Sequence, residues 1–208
     1  MTQKEPASIS RARPVPHGMR ARLVAEAERL VRKRGYSGFS YADLSEAVGI
    51  RKASIHHHFP AKEDLGAALI QGYRDRYDSA LASICEACAP GVACIEAYAA
   101  LYREGLRQGQ GCLCGVMACE QDVLPKRLKE AISRFFDAHL KWLERVMAAG
   151  AEEGTVRRDL DPRLAAKLVL VSLQGALTIG RLSGQLQAFD AAAAALVKSL
   201  VPCPGMQH

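Results

Sequence analysis

SYADLSEAVGIRKASIHHHFPAK, residues 40–62, predicts two short helices that meet at a tight turn. The first helix starts at Ser40, whose hydroxyl can cap free backbone N–H groups, and it places Leu44, Ala47 and Val48 on one face. Gly49 ends this helix, because glycine adopts a positive φ without the steric penalty of a Cβ atom. The chain can therefore turn sharply here into a second helix.

The second helix, residues 51–58, combines an apolar side with a side rich in hydrogen-bond donors. Ile55 and Phe59 are its apolar anchors. A helix of this kind suits a DNA major groove, where its donors meet phosphates and base edges. Ordinary corners of helical proteins share the pattern, so these residues alone leave both interpretations open. The donors are Arg51, Lys52, Ser54, His56 and His57.

The flanking sequence extends the pattern, with KRGYSGFS before it and FPAKEDLGAALI after it. The whole arrangement closely resembles the tetracycline-repressor (TetR) family of bacterial regulators over about the first third of the chain. One departure is His56, where the family usually carries a tyrosine. The residues that fall on the family pattern are Gly35, Tyr36, Gly38, Phe39, Gly49, Lys52, Ser54, Phe59, Lys62 and Leu65.

The resemblance implies an all-α protein, in which an N-terminal three-helix, helix-turn-helix DNA-binding domain precedes a helical-bundle sensor and dimerisation domain. We predict a flexible basic arm over residues 1–17, the DNA-binding domain over residues 18–66 and the sensor domain over residues 67–208. The implied assembly is a homodimer on a pseudo-palindromic, double-stranded DNA operator, with no cofactor. The predicted DNA contacts are Ser40, Tyr41, Arg51, Lys52, Ala53, Ser54, His56, His57 and Lys62.

Charge and composition agree with this organisation. Residues 1–66 hold 12 Lys and Arg against 7 Asp and Glu, whereas residues 67–208 hold 16 against 15. The basic excess at one end suits attraction to phosphates, although a solvated basic face has the same composition. Aromatic residues make up only 6% of the chain, while alanine and leucine recur at helical spacing, which favours an all-α fold.

Neither a secretion signal nor a membrane span is predicted. The first twenty residues lack the apolar core of a signal peptide. The longest apolar run, residues 168–179, contains Gln174 and is shorter than the ~20 residues of a membrane helix. We therefore expect a cytoplasmic protein without membrane contact, where most thiols stay reduced.

Helical spacing predicts six further helices at about residues 62–89, 92–108, 114–121, 125–153, 161–183 and 190–201. In the resembled family the first of these connects the DNA-binding domain to the sensor, and a small pivot of it can change the spacing of the two recognition helices. The last two are rich in small and aliphatic residues. The resemblance implies that they form a four-helix dimer interface, with intramolecular core as the alternative.

Six of the seven cysteines fall within residues 85–119. They could be inert core thiols, thiols that sense oxidants or electrophiles, or ligands of a soft metal such as Zn(II) or Cu(I). A metal site would join Cys112 and Cys114 with Cys119, or with Cys85 and Cys88.

The segment GCLCGVMACEQD, residues 111–122, motivates thiol sensing. Cys112 and Cys114 lie at a predicted helix N-terminus, where the helix dipole favours the thiolate. The Gly-Cys step also resembles a TetR subgroup that responds to reactive chlorine or carbonyl electrophiles. The candidate redox-sensing residues are Cys112, Cys114 and Cys119.

A ligand pocket and an enzymatic activity are the remaining possibilities. Bundles of the resembled family usually contain an apolar pocket, for which the candidate residues are Tyr98, Tyr102, Met117, Phe136, His139 and Trp142. The CEAC motif, residues 85–88, has thioredoxin-like spacing but lacks a βαβ setting, so we predict no enzyme, with a thiol oxidoreductase as the enzymatic alternative.

The predicted function is transcriptional regulation by a repressor that releases its operator when oxidants or electrophiles modify its cysteines. Release by a small apolar ligand, or by a soft metal bound to cysteines, is the alternative.

Overall fold

The computed structural model describes residues 18–202, which form α-helices joined by short turns, with no strand in that range. The amphipathic periodicity of the chain sets most of these helices, and glycines and prolines separate them. In chain order they are α1 (Met19–Arg34), α2 (Tyr41–Val48), α3 (Lys52–His58), α4 (Lys62–Ala87), α5 (Val92–Arg107), α6 (Leu113–Ala118), a 3₁₀ turn (Gln121–Val123), α7 (Lys126–Glu152), α8 (Pro162–Ser183) and α9 (Leu186–Leu200).

The described helices pack into two compact units. The N-terminal unit contains residues 18–77 and 110–135, and the C-terminal unit contains residues 78–109 and 136–202. Helices α4 and α7 each contribute one part to each unit. The packing thus groups α6 with α1, α2 and α3, although α6 lies far along the chain. The functional boundary that we placed at residue 66 remains a prediction, and the predicted basic arm lies outside the described residues.

The N-terminal unit is built on the apolar side of α1. Helical spacing over residues 18–34 predicts a core stripe of Leu23, Val24, Ala27, Leu30 and Val31, and all of these are buried except Val24, which is half-buried. Leu44 of α2 is buried as well, but Ala47, which we placed on the same face, is exposed. Val48, the third residue predicted for this face, is half-buried, so Leu44 alone of the three is fully in the core.

The C-terminal unit has its core on α5. The helical spacing of Ile95, Tyr98, Ala99, Tyr102 and Leu106 predicts that they share one side of this helix, and all five are buried. Two other boundaries differ from prediction. Helix α6 is shorter than expected and a 3₁₀ turn follows it, while α9 begins at Leu186, four residues early, after the left-handed Gly184 that ends α8.

Helix α8 is apolar on two sides. Its inner side, including Val169, Leu173 and Leu177, packs within the C-terminal unit. Its outer side is exposed to an unusual degree, with Leu164 at 68%, Val171 at 62% and Ile179 at 65% of full exposure. Exposed apolar stripes of this kind mark interaction surfaces.

Within the described range, α8 is also the one helix long and apolar enough to cross a membrane, with a mean hydropathy of 1.3. Length and composition alone give this result, and a core helix of a soluble protein passes the same criterion.

Candidate nucleic-acid interface

A reciprocal cap fixes the start of α2. Ser40 Oγ accepts hydrogen bonds from the backbone N–H groups of Ala42 and Asp43, at 3.2 and 3.3 Å. In return, the Asp43 carboxylate accepts one from Ser40 N at 2.8 Å. The hydrogen bonds from Ser40 lower the pKa of Asp43. Ser40, one of the predicted DNA contacts, therefore already has a structural role, while its side chain stays exposed.

Two hydrogen bonds to Ser45, one to its backbone and one from its side chain, hold the turn between α2 and α3. Gly49 has a φ of 75° and its N–H donates to Ser45 O at 2.9 Å. The Ser45 hydroxyl then donates to the carbonyl of Ile50. The predicted glycine-dependent corner is thus confirmed, and it fixes the angle at which α3 leaves α2.

Helix α3 is anchored from beneath. Ile55 is fully buried and Phe59 is 1% exposed. Because these two side chains hold the helix, the rest of its surface points away from the core. The exposed residues, here called the α3 face, are Arg51, Lys52, Ala53, Ser54, His56 and His57.

Tyr41 and His56 hold α2 and α3 together. Their rings meet edge to face, with centroids 4.9 Å apart. The Tyr41 hydroxyl donates to Phe59 O at 2.9 Å, and His56 Nδ1 lies 3.2 Å from Pro60 O. Burial raises the pKa of Tyr41 to about 12. Tyr41 is therefore a packing residue in this structure, and the His56 ring is held in one orientation.

Lys62 lies at the start of α4, half-buried. Its Nζ donates to Phe39 O at 2.6 Å and lies 4.7 and 4.5 Å from the ring centroids of Tyr36 and Phe39. Partial burial lowers the pKa of Lys62, although Glu120 and Asp43 act in the opposite direction. An ammonium group has three donors, so the predicted phosphate contact of Lys62 would be made in addition to this structural one.

Glu120, which the sequence did not single out, contacts the turn between α1 and α2. Its two carboxylate oxygens accept hydrogen bonds from Tyr36 N and Ser37 N, each at 2.7 Å. Burial acts to raise the pKa of Glu120, but the hydrogen bonds from Ser37 and Tyr36 and the Lys62 charge outweigh it and lower that pKa. The segment after α6 is thereby fixed to the helix-turn-helix.

A second contact of this kind is the buried carboxylate of Glu28 on α1. Arg76 of α4 donates to it at 2.7 Å and Arg32 of α1 at 3.4 Å. Arg32 Nε also donates to Gly111 O at 2.7 Å, immediately before Cys112. A buried carboxylate requires such partners, and here they join α1, α4 and the start of α6.

The thiols within and next to α6 differ in accessibility. Cys119 is exposed, whereas Cys112 and Cys114 are 4% and 0% exposed. Cys112 caps α6 through Gly115 N, which lies 3.4 Å from Sγ. We expected the helix N-terminus to favour the Cys114 thiolate, but burial, with the Cys112 and Glu28 charges, raises the pKa of Cys114 well above its ordinary value. That expectation was wrong because desolvation disfavours the anion more than one short helix can favour it.

The other described thiols lie in the C-terminal unit. Trp142 Nε1 donates to Cys85 Sγ at 3.1 Å, and Cys85 is exposed. Cys94 is buried, and burial, with Cys88 and Cys85 nearby, raises the pKa of Cys94 to about 11. Among residues 18–202, no three His, Cys, Asp or Glu side chains form a group that could hold a metal ion.

Four of the predicted pocket residues form one buried cluster in the C-terminal unit. The Tyr98 hydroxyl lies 2.7 Å from His139 Nδ1 and 2.8 Å from the Tyr102 hydroxyl, and the Trp142 ring lies 5.4 Å from that of Tyr98. Burial lowers the pKa of His139 to about 4, so the ring is neutral at pH 7. Phe136 is half-buried in the same unit, whereas Met117 is buried in the N-terminal unit.

Family comparisons cover most of the chain. Residues 23–69 match the family described as bacterial regulatory proteins, tetR family. Residues 91–196 match the tetracyclin repressor-like, C-terminal domain.

Similar proteins include the HTH-type transcriptional repressor DhaR of Mycobacterium sp. strain GP1, with 30% identity over 88% of this chain and 93% of DhaR. A solved TetR-family regulator from Agrobacterium tumefaciens has a TM-score of 0.86 at 28% identity, covering 90% of this chain and all of that one. The reduced form of Escherichia coli NemR has a TM-score of 0.75 at 22% identity, covering 90% of this chain and 98% of NemR, so it supports the fold alone.

Proposed function

The chain belongs to the TetR family of bacterial transcriptional repressors, and we propose that it binds its operator through the α3 face and releases it when the thiol of Cys119, next to α6, is modified. TetR regulators are soluble, cytoplasmic DNA-binding proteins that act as dimers, and the family consists of regulators, not enzymes.

The anchored α3 face carries the DNA-binding half of the proposal. Ile55 and Phe59 fix the helix from beneath, and Arg51 and Lys52 are exposed at its start. Positive donors at the first turn of an exposed helix suit both phosphates and guanine edges. In the proposed dimer the exposed stripe of α8 meets its copy, so that two α3 faces reach successive major grooves.

Cys119, which directly follows the last residue of α6, is the proposed point of attack because its thiol is exposed. An electrophile such as a quinone would form a C–S bond with this thiol, while the thiol proton passes to the quinone. The Cys119 thiol, which donates to Gly115 O at 3.4 Å, precedes Glu120, whose carboxylate is fixed to Tyr36 and Ser37. An added group at Cys119 would thus disturb the contact between α6 and the helix-turn-helix.

The test is binding of the purified, reduced protein to DNA from its own upstream region, followed by addition of p-benzoquinone or hypochlorite. We expect a specific complex that is lost with either reagent in the wild type and persists in Cys119→Ser. Cys85→Ser is the matched control, since Cys85 is also exposed but lies in the C-terminal unit. Release that persists in Cys119→Ser would contradict the thiol assignment, whereas absence of any specific complex would contradict the DNA assignment.

A second candidate effector is a small apolar ligand with one hydrogen-bonding group. The Tyr98, Tyr102 and His139 cluster places polar atoms inside an otherwise apolar core, and Gln174 Nε2 lies 3.4 Å from the Tyr102 hydroxyl. A pocket that opened beside this cluster would offer a ligand both an apolar wall and a hydrogen-bond partner. Operator release by such a compound in Cys119→Ser, lost in Tyr98→Phe, would favour this effector.

A further inference from the structure

A basic cleft in the N-terminal unit has no part in the proposed DNA contacts. It has a volume of about 470 Å³ and lies between α4 and α7, with α1 and the end of α3 completing its wall. Its charged lining consists of Arg20, Asp64, Arg74, Arg127 and Arg134, together with His58. We call it the arginine cleft. Its volume falls within the roughly 300–1,000 Å³ of small-molecule sites.

The charge in the arginine cleft is strongly unbalanced. One acidic residue faces four arginines, and that residue, Asp64, pairs with Arg127 at 3.2 Å. Arg134 lies 4.0 Å from Glu130, but both side chains are more than half exposed, so water screens this pair. The lining therefore carries more positive than negative charge, which attracts anions.

The arginines of the cleft come from three helices and line one space. Arg20 of α1 is held with its guanidinium 4.8 Å from the Phe59 ring centroid. Arg74 comes from α4, where it is half-buried, while Arg127 and Arg134 lie about two turns apart along α7. Guanidinium groups bind phosphate oxygens in pairs. A ligand with several phosphates could thus engage all three helices at once.

The floor of the arginine cleft is apolar. The accessible part of this floor consists of three half-buried alanines, Ala67, Ala68 and Ala131, because the Phe59 and Ile70 side chains are only 1% and 2% exposed. A DNA backbone presents charge to a surface but offers nothing apolar to fill such a floor. A molecule with an aromatic ring and a phosphate chain matches both parts of the cleft.

We propose that the arginine cleft is a binding site for a small organic polyphosphate of the nucleotide type, with the phosphates on Arg20, Arg74 and Arg134 and the ring on the apolar floor. Binding of this ligand does not depend on the proposed function. Any effect on operator affinity does, because the cleft joins α1, α3, α4 and α7 within the N-terminal unit.

The test is calorimetric titration of the full-length protein with ATP, inorganic tripolyphosphate and adenosine, in magnesium-free buffer of constant ionic strength. We expect ATP to bind, tripolyphosphate to bind more weakly and adenosine to show no measurable binding. Arg20→Ser and Arg134→Ser should each weaken ATP binding by about tenfold, the usual effect of losing a charge-assisted hydrogen bond. Both side chains are exposed, so the fold should tolerate either change.

Arg145→Ser is the matched control, since Arg145 is an exposed arginine of α7 outside the cleft. Equal weakening by Arg145→Ser would show unspecific attraction and overturn the proposal, as would unchanged ATP affinity in Arg20→Ser and Arg134→Ser. Equal binding of ATP and tripolyphosphate would overturn the nucleotide assignment. Weaker operator binding by Arg134→Ser without any ATP binding would identify the cleft as a DNA phosphate contact instead.

Discussion

Gly35 lies beside the carboxylate of Glu120 at the turn between α1 and α2. The same carboxylate accepts a hydrogen bond from Tyr36 N, although Tyr36 and Glu120 are 84 residues apart in the sequence. Gly35 has a φ of 88°, and a Cβ atom at this residue would overlap with Glu120 Oε1. The absence of a side chain at residue 35 is therefore what allows the carboxylate to reach the N–H groups of Tyr36 and Ser37.

We predict that Gly35→Ala lowers the free energy of unfolding by about 2–4 kcal/mol, because it combines an unfavourable backbone conformation with an overlap. Urea denaturation measures this change. The matched control is Gly109→Ala, since Gly109 has a φ of 66° and no neighbouring atom lies within 4 Å of the place that its Cβ would occupy. That variant should lose only about 1 kcal/mol.

The overlap itself can be isolated with Glu120→Ala. Adding this change to Gly35→Ala should cost less than adding it to the wild type, because the overlapping carboxylate is already displaced. Strict additivity of the two losses would contradict the direct contact.

Glu120→Gln tests the charge of the same carboxylate. We expect a loss of about 1 kcal/mol near neutral pH, because the side chain is only half-buried and the amide can still accept one hydrogen bond. The folded protein lowers the pKa of Glu120 below its ordinary value of 4.5. The stability that the charge provides is therefore present above the unfolded-state pKa and disappears as the pH falls through the lower folded-state pKa.

The measurement is the urea midpoint of wild type and Glu120→Gln at several pH values. Their difference should be largest near neutral pH and vanish in acid. A difference that grew towards acid would mean that the carboxylate opposes folding.

Lys62→Ala should weaken binding to operator and to unrelated DNA alike, and should lower the slope of log affinity against log salt by about one. Because Lys62 Nζ also donates to Phe39 O, a modest loss of thermal stability should accompany the change. Fluorescence anisotropy over a salt series gives the slope. Lys198→Ala, which removes an exposed charge from α9, should leave the salt slope unchanged. An unaltered slope in Lys62→Ala would restrict Lys62 to its structural role.

Thiol labelling should follow burial. With Cys203 replaced by serine, we expect Cys119 and Cys85 to react rapidly with dithiobis-nitrobenzoate in the folded protein. Cys94 and Cys114 should react only after unfolding, because burial removes access and raises their pKa values. Mass spectrometry of the labelled peptides assigns each thiol. Early labelling of Cys114 would contradict the described packing of α6.

Local rules of helix formation are enough to predict several helices of this protein and some of their buried residues. The cap at Ser40, the left-handed Gly49 and the buried Ile55 follow from residues within a few positions of one another, so the helix-turn-helix was predictable from the sequence. The core face of α5 was predictable for the same reason, since helical periodicity alone selects it.

Tertiary structure decided what depends on distant partners. Nothing near Glu120 or Glu28 in the sequence indicates their contacts with Tyr36 and Arg76, which lie 84 and 48 residues away. The thiols show the same limit: local sequence placed Cys114 at a helix start, but the packing around α6 buried it and thereby set its pKa. Hydrogen bonding within a helix is local, whereas desolvation and ion pairing depend on which segments the fold brings together, and only the three-dimensional structure contains that information.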